Sequence, residues 1–194
     1  MLILALETLG DGGRSALAYD RTQILHNAQW WRVLTGSLVH LGWYHCILNA
    51  LGLVVLVLLC PDAMSGWVWA RRVGVLAVVM SFCLLAFEPG LRNYVGMSGV
   101  IHGLFVLGLM PQVLKRDLIA AGCLIYLVGK IGWELVAGGP VSDEAALGGR
   151  VVVESHLFGT LAAFGYGLVF GSFRGKERSS MIADDKAKTG QDAI

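Results

Sequence analysis

The chain has 194 residues, 56% of them hydrophobic and 15% charged, with a mean hydropathy of +0.66 and a formal net charge of +1. A charged share so far below the roughly 25% of ordinary soluble domains points to an integral membrane protein. A near-neutral charge without a basic block or aromatic-basic interleaving argues against nucleic acid as a partner and leaves the lipid bilayer as the expected one.

The predicted elements begin with Met1 to Leu6, which is apolar, lacks a basic start and is cut short at Glu7, so it reads as neither a signal peptide nor a span. Residues 1–9 are therefore expected to form a partial first helix whose beginning is missing. Residues 10–43 are mixed and polar, with Gly10, Gly12, Gly13, Asp20 and Asn27, and Trp30, Trp31 and Trp43 mark a membrane–water interface. Apolar runs follow at about 44–60, 73–87, 98–111, 118–137 and 151–171. The fold class this predicts is an all-α integral membrane protein, a bundle of five full transmembrane helices plus the N-terminal partial helix, within a membrane domain spanning 1–172. A tail over 173–194, rich in Lys, Asp and Ser, reads as disordered. Cys46, Cys60, Cys83 and Cys123 sit singly inside apolar runs rather than at metal-ligand or disulfide spacing, so packing is expected of them, and no metal or cofactor.

Orientation follows from the excess of Lys and Arg on cytoplasmic loops. Arg71, Arg72, Lys115, Arg116, Arg174, Lys176, Arg178, Lys186 and Lys188 fall on one side, nine in all, against five on the other: Arg14, Arg21, Arg32, Arg92 and Arg150. The C-terminus is thus predicted to be cytoplasmic. Lys130 lies inside a helix with Glu134 one turn later. An intramembrane charge is a functional candidate, but the i,i+4 partner also explains it as a neutralising pair, and that structural reading is preferred.

The most informative stretch is Gly96-Met97-Ser98-Gly99-Val100-Ile101-His102-Gly103, a serine between glycines at the head of an apolar run. Residues 98–111 end at Pro111, which cannot continue a helix without losing a hydrogen bond. Such a helix covers roughly 21 Å of a hydrocarbon core about 30 Å thick. Ser98 is therefore expected about 10 Å below the outer face, next to water inside the membrane.

Two further groups are predicted at similar depth. In His45-Cys46-Ile47-Leu48-Asn49, a spacing of four puts the imidazole and the amide on one helix face. His156 is followed by Gly159 and Ala163 on one side of its own helix. Gly99 and Gly103 form the matching small-residue stripe that would let the two helices approach closely. A serine hydroxyl needs a base, for which His156 is the candidate. The developing oxyanion needs fixed donors, for which His45, Asn49 and the serine backbone N–H are candidates. His102 can hydrogen-bond to His156, pack beneath it or compete as base, and packing is preferred. His40 reads as an interfacial residue or loop brace, and His26 as solvated. Glu154 points away from His156, and no carboxylate is required.

These residues resemble a family. Trp31-Arg32 with His40, His45 and Asn49, then Gly96-Met97-Ser98-Gly99, then His156-Leu157-Phe158-Gly159, look like the rhomboid intramembrane serine proteases. The forms Trp30-Trp31-Arg32-Val33-Leu34-Thr35-Gly36 and Ser98-Gly99-Val100-Ile101-His102-Gly103 resemble the rhombosortase branch. The resemblance spans about residues 20–172. It implies Ser98 as nucleophile, His156 as general base in a dyad without an acid, and His45 and Asn49 as oxyanion donors. From the residues themselves, His102, Gly99 and Gly159 are expected in support. The resemblance also implies membrane-anchored protein substrates cut near a C-terminal Gly-Gly motif (GlyGly-CTERM processing), at a bacterial inner membrane. Many rhomboids have tyrosine where this chain has His102 and glycine where it has Ala163. The alternative is a proteolytically inactive, rhomboid-like binder of membrane segments, which would be expected to lose the nucleophile or base. A small-solute transporter is weaker, since the chain shows no repeat and few midplane charges.

Overall fold

A computed structural model describes residues 2–60, 65–140 and 142–173. In chain order the elements are α1 (Leu2–Glu7), α2 (Gly10–Leu17), β1 (Tyr19–Asp20), α3 (Arg21–Asn27), α4 (Arg32–Thr35), α5 (Trp43–Leu59), α6 (Gly66–Phe87), β2 (Asn93–Tyr94), α7 (Ser98–Leu114), α8 (Leu118–Ala137), α9 (Glu144–Leu147) and α10 (Glu154–Val169). Of the tail expected over 173–194, residues 174–194 lie outside the described residues.

The five long helices fall on the five apolar runs, with three shifts, of which those of α6 and α7 have visible causes. Helix α6 begins at Gly66 rather than near 73, capped by Ser65, whose hydroxyl accepts the Val68 N–H. Arg71 therefore sits on the helix, donating from Nε to the Tyr166 hydroxyl at 2.9 Å and lying 4.8 Å from the Phe170 ring centroid. Helix α7 does not stop at Pro111 but runs to Leu114. The proline forfeits one hydrogen bond, and the Gln112 side-chain amide ties that turn to Gly108 O and to Leu59 O of α5, both at 3.0 Å. Helix α10 is shorter than its run, starting at Glu154 and ending at Val169. Asp117 caps α8 by accepting from Ile119 N and Ala120 N, and Gly138, at φ 70°, closes its far end.

By length and composition α6 and α8 are each apolar enough to cross a bilayer, while α5 and α7 are shorter apolar helices of 17 residues. At about 1.5 Å per residue those two cover roughly 25 Å. Helix α7 is central, touching α5, α6, α8 and α10. Its seam with α10 is set by glycines. A Cβ on Gly103 would come 2.5 Å from Gly159 O, and one on Gly99 2.5 Å from Ser155 O. The outward sides of α5 and α8 stay apolar, with Val54, Leu58, Ile125, Trp133 and Val136 exposed as a lipid-facing surface requires.

The interfacial segment is more ordered than its composition implies. The Arg32 guanidinium, only 7% exposed, donates to Ser15 O, Ala18 O and the Gln29 side chain, which locks α2 and α4 together. A two-residue antiparallel ladder, Tyr19 opposite Tyr94 and Asp20 opposite Asn93, adds a scrap of sheet to the expected all-α fold. It fastens the interfacial segment to the loop that leads into α7.

Candidate active site

That loop delivers Ser98 to the first position of α7. Gly96 donates its N–H to Gly36 O at 3.1 Å, and its carbonyl accepts the buried Tyr94 hydroxyl. At φ +118° its backbone suits only glycine, and a Cβ there would come 2.6 Å from His45 Cε1. Gly96 thus sets both the turn before the serine and the room for His45.

The glycine seam brings α10 close enough for Ser98 Oγ to lie 3.0 Å from His156 Nε2. His156 is 3% exposed and Ser98 half-buried, so the hydroxyl faces a cavity of about 280 Å³ while the imidazole is shut away. On its other side His156 Nδ1 lies 2.8 Å from Glu134 Oε2 of α8. A carboxylate can only accept, so Nδ1 carries the proton and Nε2 presents its lone pair to the serine hydroxyl. Glu134 Oε1 accepts from Lys130 Nζ at 2.7 Å, and Lys130 Nζ is 3.3 Å from His102 Nε2. His102 Nδ1 in turn lies 2.7 Å from Ser98 O. Since a carbonyl also only accepts, His102 holds its proton on Nδ1 and receives the lysine N–H on Nε2.

The rings of His102 and His156 stack at 4.2 Å between centroids and 15° between planes. His102 therefore packs beneath the candidate base, as preferred from sequence, and both its nitrogens are engaged. The sequence reading required no carboxylate beside His156, and the structure places one there. Glu154 is not its partner, but Glu134 is, reached across the space between α8 and α10. The Lys130–Glu134 pair exists as an i,i+4 contact, yet it is joined to the site rather than isolated. Sequence reasoning weighed the intramembrane position of the pair as a functional signal and set it aside, because each residue had a sufficient local partner in the other.

His45 and Asn49 line the same cavity as Ser98 and His156. Leu41 N donates to His45 Nδ1 at 3.4 Å, leaving Nε2 as the ring's donor. One Asn49 amide hydrogen goes to His45 O at 2.9 Å, and the amide has a second to offer. His40, fully buried, stacks edge-on against His45 with centroids 5.1 Å apart. Burial first, and His45 second, push its imidazole down to about 3, so it is a neutral brace. His26 is exposed at the end of α3.

Among the described residues one trio gathers metal-ligand types, Glu7, His40 and Cys46, with ligand atoms within 4.8 Å of one another. Glu7 already pairs with Arg14 at 3.7 Å, and the Cys46 thiol is directed to Ile3 O at 3.6 Å. The trio braces α1 and α5 behind His45.

Residues 27–173, well over half of the chain, match the family described as the Rhomboid domain. No curated protein matches the chain.

Proposed function

Because the chain belongs to the rhomboid family, whose members are typically intramembrane serine proteases, we propose that it is an active serine endopeptidase with Ser98 as nucleophile and His156 as general base. The observation that carries this reading is the 3.0 Å contact from Ser98 Oγ to His156 Nε2 at the floor of a cavity. The Ser98 oxygen attacks the scissile carbonyl carbon, its proton passes to His156 Nε2, and the carbonyl electrons move onto oxygen. His45 Nε2–H, the free Asn49 amide hydrogen and the Ser98 backbone N–H are the donors for that oxyanion. Collapse breaks the C–N bond, and the proton on Nε2 goes to the leaving amine. Water then attacks the acyl-enzyme, gives its proton to His156, and Ser98 departs with it.

A second cavity, of about 410 Å³, lies between α5, α7 and α8 and shares His102, Phe105 and Lys130 with the first. Its wall of Val55, Leu59, Tyr126 and Leu127 suits an apolar substrate helix that unwinds as it reaches Ser98. The rhombosortase-like forms around Trp31 and Ser98 favour exported proteins held by a C-terminal anchor after a Gly-Gly motif. Co-expression with an exported reporter carrying such an anchor is expected to release the reporter, while a reporter with an ordinary anchor stays bound. Equal release of both would remove the Gly-Gly preference, and release of neither would remove the protease reading.

In this reading all five long helices span a bacterial inner membrane, with the C-terminus cytoplasmic and Ser98 opening outward. The two ends of α8 test the orientation in a cysteine-free background. Ser142→Cys, beyond its end, is expected to react with a membrane-impermeant thiol reagent in intact cells, and Arg116→Cys, before its start, to resist. The opposite pattern would place Ser98 on the cytoplasmic side and exclude exported substrates.

A further inference from the structure

We propose that Glu134 completes a Ser98–His156–Glu134 triad as a positioning carboxylate, held in place by Lys130. The proposal rests on the protease reading and departs from the acid-free dyad that the family resemblance implies. Neutralising Lys130 needs one carboxylate oxygen, Oε1 at 2.7 Å, and Oε2 is given to His156 Nδ1 at 2.8 Å. Glu134 is 1% exposed. A carboxylate is costly to bury unless it is paired and hydrogen-bonded, and here it has an ammonium on one oxygen and an imidazole N–H on the other.

The set balances its charge at rest. Glu134 and Lys130 cancel, and both imidazoles are neutral with their tautomers fixed, His156 by the carboxylate and His102 by Ser98 O. When the Ser98 proton moves to Nε2, His156 becomes an imidazolium beside a carboxylate already in position. Glu134 stabilises that cation and takes no proton itself. Lys130 has a separate duty, because its contacts to Glu134 Oε1 and His102 Nε2 brace the carboxylate against the ring stacked on His156. Through His102 the network closes back on Ser98 O.

The test compares purified parent, Glu134→Gln and Glu134→Asp in detergent, reading kcat, KM and thermal midpoint on one cleavable membrane-anchored substrate. Glutamine keeps the shape and loses the charge, so kcat is expected to fall on the order of 10²–10⁴-fold with KM within about twofold, as for triads whose acid is made an amide. Aspartate restores the charge on a shorter stem and is expected to recover part of the lost kcat. If Glu134→Gln is lost from the membrane, the double substitution Lys130→Met with Glu134→Gln leaves no lone buried charge and reads the same kcat. Parent-like kcat in either amide variant overturns the triad. So does a kcat loss that aspartate does not lessen, since a carboxylate acting on His156 must respond to its own return. An inactive parent would instead sink the protease reading on which the triad depends.

Discussion

Replacing Ser98 with alanine is expected to lower kcat for a membrane-anchored substrate on the order of 10⁶-fold, and His156→Ala by a similar factor. The two act as a unit, because the hydroxyl is inert without the base and the base has no proton to take without the hydroxyl. Combining them should cost little more than either alone. Neither change should reduce the amount of protein in the membrane. Among the described residues, Ser98 Oγ holds helices together only through its contact to His156, and the α7–α10 seam depends on glycines instead. His102→Ala separates base from support. It removes the ring stacked under His156 but leaves the 3.0 Å contact available, so a partial loss is expected, and a loss as severe as Ser98→Ala with His156→Ala active would reassign the base.

Gly159→Ala carries the second large effect, from packing alone. A Cβ at this position would collide with the Gly99 carbonyl, one residue past Ser98. Backbone cannot swing aside as a flexible side chain can, so α10 must move away from α7, and His156 moves with it. Overpacking of this kind costs about 1–3 kcal/mol, and a displacement near 1 Å at the reacting atoms can by itself cost about 10²-fold in rate. A lower thermal midpoint in detergent and a steep loss of cleavage are expected together. Gly165→Ala is the control, being on the same helix with nothing within 4 Å of the added carbon, and it should leave both nearly unchanged. If the two alanine variants behaved alike, the close α7–α10 approach would not be what holds the site.

The glycine seam shows what the residue pattern already carried. Gly99, Gly103 and Gly159 in small-residue spacing, with Ser98 and His156 at matching ends of their helices, were enough to predict that α7 and α10 meet and that hydroxyl and imidazole face one another. For His102 the pattern left three roles open with packing preferred, and the structure stacks it on His156. Glu134 could not be placed this way. It and His156 lie on different helices, separated by the turn at Gly138 and the short α9, and no local periodicity sets the rotation of α8 against α10. Lys130, one turn away, offered a sufficient local partner, and the carboxylate's second oxygen went unassigned.

Helix ends were obscured for a related reason. Arg71 interrupts the apolar run, but the Tyr166 hydroxyl and the Phe170 ring receive its guanidinium, so α6 extends past it. Arg32 likewise reads as a loop charge until its bonds to Ser15 O and Ala18 O are seen to order the interfacial segment. In each case a long-range partner for a polar group decided the local structure.

Activation of the Ser98 hydroxyl by His156 is read by a phosphonofluoridate, which phosphonylates an activated serine hydroxyl with loss of fluoride. Mass spectrometry of the treated protein is predicted to find one phosphonyl group on Ser98, and none in the His156→Ala variant. A label on another serine, or labelling of Ser98 that persists undiminished in His156→Ala, would contradict the account.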